Sequence, residues 1–153
     1  MKSGWICAAA AAAVFAADRA AKYKAKQLQP GEEKPMLGGR VIFRRSRNNG
    51  AMMNMGDRNP VLVRRVSAVL TAGLIPCCAA VLAGHGSVLK KTGFSLLTAG
   101  ACGNTLDRLS ENYVTDYLSF NAGDGKLKNT VFNLADFAII GGAGMAVIDS
   151  FRK

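Results

Sequence analysis

The chain has 153 residues, 50% of them hydrophobic and 20% charged, with 20 Lys and Arg against 10 Asp and Glu for a net charge of +10. That length suits one compact unit and excludes two full domains, and the apolar content excludes intrinsic disorder. The positive surplus admits a nucleic acid or an anionic membrane surface as partner. Half of the basic residues lie between Arg19 and Arg58, mixed with Gly, Asn, Pro and Glu and with little aromatic interleaving. No helix-turn-helix, RRM or finger spacing accompanies them, so the sequence predicts no nucleic-acid partner.

Uncharged runs organise the chain. Ser3 to Ala17 is uncharged for 15 residues and rich in Ala; Val66 to Leu89 is uncharged for 24; Thr92 to Leu106 is uncharged for 15; Asn129 to Ile148 spans 20 residues with Asp136 as its one charge. A helix crossing the hydrocarbon core needs ~20 mostly apolar residues. The runs therefore predict an all-α integral membrane protein, a single domain over 1–153. Its four transmembrane helices fall at roughly 3–22, 63–84, 90–108 and 131–150. The first run also has the outline of a secretory signal peptide; the later runs favour a retained helix. Between the first two helices, the extramembrane segment 23–60 carries the turn signals Pro30-Gly31 and Gly38-Gly39. Arg40 to Arg44 is β-branched and aromatic enough for a short strand, which predicts a small β-rich segment there. Between the third and fourth helices, Asn121 to Gly125 is a strong turn signal.

The cysteines, Cys7, Cys77, Cys78 and Cys102, form no CxxC and lie in apolar runs, which reads as small buried side chains with no metal. His85 sits between Gly84 and Gly86 in an expected turn, far from any nucleophile setting.

Ionisable groups in or beside a membrane helix are expensive and are functional candidates by default. Asp18 and Lys22 end the first run, four apart on one helical face. Asn104, Asp107 and Arg108 end the third at i, i+3 and i+4; Asn133 and Asp136 open the fourth at i, i+3. In an up-down arrangement these clusters meet at one membrane face, and the link after Arg108 adds Asp116 between Thr115 and Tyr117. Helix-end ion pairing and interfacial anchoring also account for Asp18–Lys22 and Asp107–Arg108. Asp136 is different, because no basic residue stands within seven positions of it. Two carboxylates brought together cannot easily both ionise, so one keeps a proton. The ionised member can then act as general base on a water, while the protonated one polarises a carbonyl and protonates a leaving amine. That chemistry needs neither metal nor cofactor.

Gly103-Asn104-Thr105-Leu106-Asp107-Arg108, Val114-Thr115-Asp116-Tyr117 and Phe132-Asn133-Leu134-Ala135-Asp136 resemble the GNxxDR, VVDF-like and FNxAD motifs of lipoprotein signal peptidase, or signal peptidase II. The motifs stand in that family's order and at similar spacing. Asp18-Arg19-Ala20-Ala21-Lys22 is similar to the family's D-x-x-[ST]-K, and Asn48-Asn49-Gly50-Ala51 to its N-x-G-A. The resemblance implies a four-helix aspartyl peptidase of the bacterial inner membrane. Its substrates would be prolipoproteins, cut just before a cysteine bearing a diacylglyceryl group, and its other partners membrane lipids. Asp116 and Asp136 would be catalytic. Asn104, Asp107, Arg108 and Asn133 would support them, with Asp18, Lys22 and Asn48 as outer members. The small residues from Gly100 to Asp107 and from Gly141 to Gly144 suit close helix packing beside a substrate slot.

The chain departs from the family pattern at Ala21, at Met52-Met53-Asn54, and at Thr115 and Tyr117. These departures bear on substrate preference, and they also leave room for a non-catalytic relative that binds lipoprotein precursors or lipid. A small channel or proton relay would use the same carboxylates but would not account for the three motifs together. The resemblance places both termini in the cytoplasm. The positive-inside rule argues against this, because residues 18–60 carry ten Lys and Arg and would lie outside. The resemblance is followed here, with anionic lipid heads as counter-charges.

Overall fold

A computed structural model of the chain describes residues 2–51, 57–121 and 130–152. Four helices carry a small antiparallel sheet at one end. In chain order they are α1 (Lys2–Lys26), β1 (Glu33–Met36), β2 (Val41–Asn48), α2 (Pro60–Ala83), α3 (Val88–Glu111), β3 (Val114–Phe120), β4 (Val131–Phe132) and α4 (Leu134–Ser150). Two helices, over Ser3–Lys26 and Pro60–Ala83, are long and apolar enough to cross a membrane, with mean hydropathies of 1.3 and 2.2.

Local chemistry sets the helix ends. Asn59 accepts from Leu62 N at 3.1 Å with Pro60 in the first turn of α2, and Ser87 accepts from Lys90 N at 3.0 Å to cap α3. Asn112 stops α3 in a left-handed conformation (φ 66°). The expected helix over 131–150 starts later, at Leu134, because Asn133 caps it and Val131-Phe132 pairs with β3 as a strand. α1 continues past residue 22 to Lys26, its last turn carrying Lys24 and Lys26, cations that suit the negative end of the helix dipole.

The strand expected at 40–44 is β2, which extends to Asn48 within a sheet of order β1-β2-β3-β4. Its partner β3 comes from the link between α3 and α4, with Val41 opposite Phe120 and Asn48 opposite Val114. Gly31, Gly38 and Gly39 all adopt positive φ at the expected turns. The expected turn runs on from Asn121 into residues 122–125, which lie outside the described residues, as do Met52, Met53 and Asn54. Cys7 and Cys78 are buried as expected; Cys77 is exposed, because its neighbour Cys78 takes the inward face of α2.

The helix α3 is the centre of the bundle, with α1, α2 and α4 packed on it. Glycine permits the α3–α4 approach. A Cβ on Gly142 would lie 2.5 Å from Leu97 N and 2.6 Å from Gly93 O, against backbone that cannot rotate away. Gly142→Ala should therefore push α4 off α3 and cost ~1–3 kcal/mol, read as a lowered thermal midpoint; Gly144→Ala, where a Cβ would meet nothing within 4 Å, should leave the midpoint unchanged. The outward faces are apolar: Val66, Val69, Leu70 and Ile75 on α2, and Ile140, Val147 and Ile148 on α4, are exposed.

Candidate active site

The sheet and three helix ends bring the polar clusters together. On α3 the i, i+3, i+4 spacing puts Asn104, Asp107 and Arg108 on one face, and all three are buried. β3 carries Asp116, which is 2% exposed. Asn48 on β2 stands two residues beyond Ser46, the partner of Asp116, and so on the same sheet face. From there its Nδ2 donates to Asp116 Oδ2 at 3.0 Å.

Asn133 joins the two candidate carboxylates. Its Nδ2 donates to Asp116 Oδ1 at 2.6 Å, and its Oδ1 accepts from Asp136 N at 2.9 Å. Its own backbone N–H donates to Asp136 Oδ2 at 3.0 Å, closing a capping box at the start of α4. Asn104 Nδ2 donates to Asp136 Oδ1 at 2.9 Å. Asp136 therefore lies at a helix N-terminus, where the dipole and backbone donors suit a carboxylate, and it needs no basic neighbour in sequence.

Behind this pair stands a buried ionic cluster. Lys22 Nζ lies 2.8 Å from Asp18 Oδ2 and 2.9 Å from Asp107 Oδ2 and donates to Asn104 Oδ1 at 2.8 Å. Arg19 pairs with the other oxygen of Asp107. Tyr117 OH donates to Asp18 Oδ1 at 3.0 Å and accepts from Leu134 N at 3.1 Å, while Ala135 N donates to Asp18 Oδ1 at 3.2 Å. The first free N–H groups of α4 are thus satisfied by α1, β3 and its own cap, which fixes where Asp136 begins its helix. Burial, then the neighbouring Asp18, hold the Tyr117 phenol above its ordinary range, so it stays a donor. Arg108 donates to Gly50 O at 2.7 Å and to Asn104 O at 3.4 Å, tying the segment after β2 to α3.

All nine residues expected at the site, Asp18, Lys22, Asn48, Asn104, Asp107, Arg108, Asp116, Asn133 and Asp136, belong to this one network. Asp18–Lys22 is the i, i+4 pair that the spacing suggests, but both members are buried and linked onward. Arg19, Tyr117 and the Gly50 carbonyl join the network unforeseen. Adjacency to Asp18 and Asp116 was the only signal for the first two, and a carbonyl leaves none. Among the described residues no group of three or more His, Cys, Asp or Glu could hold a metal ion.

Burial, and next the charge of Asp136, raise Asp116 from 3.8 to about 7, against the lowering effect of its Asn48 and Asn133 hydrogen bonds. Between those values the folded chain holds a proton that the unfolded chain has released. Stability should therefore fall as pH rises from about 4 to about 7 and level off above. A reaction that needs one proton shared by the two acids should lose rate as pH climbs through about 7. The alkaline limb of kcat/KM against pH checks this; a rate still rising well above that value would contradict it.

A cavity of about 250 Å³ reaches Asp136, lined by Asn48, Thr71, Asn104, Arg108 and Ile139 among others. Its further walls include Leu70 on α2 and Ile140 on α4, both exposed to the surroundings of the bundle. α2 and α4 each pack on α3, and the cavity lies between them.

Comparison with known proteins agrees with this architecture. Residues 10–152 match the family model for signal peptidase (SPase) II. Lipoprotein signal peptidase of Gloeobacter violaceus is 32% identical over 153 residues, covering 99% of this chain and 84% of that protein. That of Brevibacillus brevis is 28% identical over 142 residues, covering 92% and 91%. A bacterial membrane enzyme solved by the in meso method at 2.3 Å superposes with a TM-score of 0.81 over 99% of this chain and 89% of its own, at 20% identity.

Proposed function

The chain belongs to the signal peptidase II family, and we propose that Asp116 and Asp136 are the acids with which it cleaves. It is an aspartic endopeptidase that removes the signal peptides of lipoproteins, a bacterial membrane enzyme with prolipoproteins as substrates. The observation that supports the aspartate assignment is Asn133: its side-chain Nδ2 donates to the Asp116 carboxylate and its backbone N–H to that of Asp136.

In the proposed reaction the ionised acid takes a proton from a water, which attacks the scissile carbonyl. The protonated acid hydrogen-bonds that carbonyl oxygen, then gives its proton to the leaving amine. The products are the signal peptide's new carboxylate and the free amine of the diacylglyceryl cysteine. Asn48, Asn104 and Asn133 hold the two carboxylates in register; Asp18, Lys22 and Asp107 hold Asn104 and the start of α4. Arg108 keeps the Gly50 backbone over the cavity.

All four helices cross the bacterial inner membrane in this reading, with both chain ends in the cytoplasm. The apolar outer faces of α2 and α4 support lipid contact, and the gap between them suits lateral entry of a substrate whose diacylglyceryl chains stay in the bilayer. The ten cations of residues 18–60 weigh less against this orientation than their number suggests. Arg19, Lys22, Lys26, Lys34 and Arg44 each have a carboxylate partner, and Arg47 lies 4.9 Å over the Tyr113 ring. Arg45 donates to the Lys26 carbonyl at 3.2 Å, which leaves Lys24, Arg40 and Arg58 to anionic lipid heads in this reading. No nucleic acid enters this reading.

The test is the mass of a diacylglyceryl-modified precursor before and after incubation with the full chain. Two products split just before the lipidated cysteine are expected; an intact precursor, or equal cutting of the unmodified one, would refute the substrate assignment.

A further inference from the structure

The hairpin between β1 and β2 carries an oddity that the active site does not use. Leu37 has φ 49°, a left-handed conformation that a bulky side chain rarely adopts, and Gly38 and Gly39 follow with φ 67° and 83°. Glycine at position 37 would take that backbone without strain. The leucine side chain gains little cover from the described residues in exchange: residue 37 is 76% exposed, and its neighbour Met36 is 47% exposed. An apolar pair held outward on a strained backbone calls for a contact outside the chain.

Position identifies that contact. β3 begins just after the end of α3, and its last residue, Phe120, stacks at 6.1 Å edge-on against Phe137 in the first turn of α4. Both ends of one strand thus meet helix ends, so the sheet lies across the face of the bundle rather than standing away from it. Val41 pairs with Phe120, and Asn121 N donates to Arg40 O at 2.9 Å. The hairpin tip therefore starts where the bundle stops, beside α4, and continues outward at the level of the helix ends. There it is flanked by Lys34, exposed and paired with Glu32 at 3.3 Å, and by exposed Arg40, which has no side-chain partner among the described residues. Apolar residues at a tip with cations on either side fit the interface of a bilayer that contains anionic lipid.

We propose that Met36 and Leu37 insert into the bilayer beside α4 and pin the sheet that carries Asn48 and Asp116 to the membrane surface. This rests on the reading that the helices cross a bilayer. The pinned sheet holds the candidate catalytic acid at the depth where a lipid-anchored substrate presents its scissile bond.

The chain has one tryptophan, so Trp5→Phe combined with Leu37→Trp leaves a single reporter at the tip. The full chain is reconstituted into vesicles of phosphatidylcholine and phosphatidylglycerol whose acyl chains are brominated near the glycerol. Blue-shifted emission, strongly quenched by the brominated lipid and shielded from acrylamide, is the expected result. Water-like emission, or a blue shift without bromine quenching as contact with a second copy would give, overturns the insertion. A second pair of variants decides the question even if the tryptophan chain does not fold. Leu37→Gly should relieve the backbone and lower cleavage in vesicles about tenfold, the scale of one aliphatic side chain leaving an apolar phase, while Leu37→Met keeps the wild-type rate; a wild-type rate from Leu37→Gly would sink the anchor. The fluorescence needs no substrate, so failure of the peptidase assignment leaves it standing, whereas missing quenching in a chain that cleaves normally removes only the anchor.

Discussion

Asp116→Asn and Asp136→Asn should each abolish cleavage of a diacylglyceryl-modified precursor, by at least about 10³-fold, with the chain still inserted and folded. Proton transfer by one positioned group is worth about 10²–10⁴, and each acid makes a transfer that the other, in the opposite protonation state, cannot make. Asparagine keeps the size but only one acceptor oxygen, so at position 116 one of the two hydrogen bonds from Asn48 and Asn133 can persist while the other donor meets an NH2 group. What disappears is the exchangeable proton. Because the two acids act as one unit, the double variant should be no worse than either single one. Losses that multiplied would mean two independent roles. Normal turnover by either single variant would end the dyad assignment.

Lys22→Met should be the most damaging change outside the two acids. The ammonium is buried between Asp18 and Asp107, at 2.8 and 2.9 Å, and also donates to Asn104. Methionine fills similar space without the charge and leaves two buried carboxylates facing each other, with Arg19 still holding one of them. Removing one partner from a buried ionic cluster costs ~3–5 kcal/mol, which should lower the thermal midpoint in detergent by several degrees. Activity should fall further than stability does, because Asn104 connects Lys22 to Asp136. Adding Asp18→Asn should return part of the lost stability, since the residues share contacts and their effects cannot simply sum. An unchanged midpoint for Lys22→Met would show that the cluster carries no such energy. Arginine is expected to be a poor substitute, because a planar fork does not fit a site built around a compact point charge.

The two tests read different layers of one construction. The carboxylates sit on β3 and at the start of α4, elements that share little sequence proximity, and Asn133 bridges them. The ionic cluster on α1 and α3 supports that bridge from below. Tyr117 connects the layers: its hydroxyl reaches both Asp18 and the first N–H of α4. A phenylalanine there, as in the family's usual motif, would leave that N–H to find another acceptor; why this chain uses tyrosine has no further explanation in the structure.

Much of this was readable from the residues in order. Long uncharged runs favour helices, which satisfy their own backbone, so the four helices are legible in composition; several of their ends are not, since α1 runs to Lys26 rather than 22, α2 starts at Pro60 rather than 63 and α3 runs to Glu111 rather than 108. The spacing of Asn104, Asp107 and Arg108 places them on one helical face, and that of Asn133 and Asp136 matches a helix cap and its third residue. Asp136 is conspicuous because no basic residue stands within seven positions of it. Its helix start was misplaced by three residues, because Val131 and Phe132 are as apolar as the helix that follows, and hydropathy does not distinguish a strand residue from a helix residue.

The sheet could not have been read in the same way. The pairing of Val41 to Asn48 with Val114 to Phe120 joins segments about seventy residues apart, and no local period records which strand another will choose. That pairing sets Asn48 against Asp116, and the way the sheet lies across the bundle sets Asp116 near Asp136. The chemistry of each residue is local and was legible; the meeting of two acids through one asparagine depends on register and packing between distant elements, which only the assembled chain supplies.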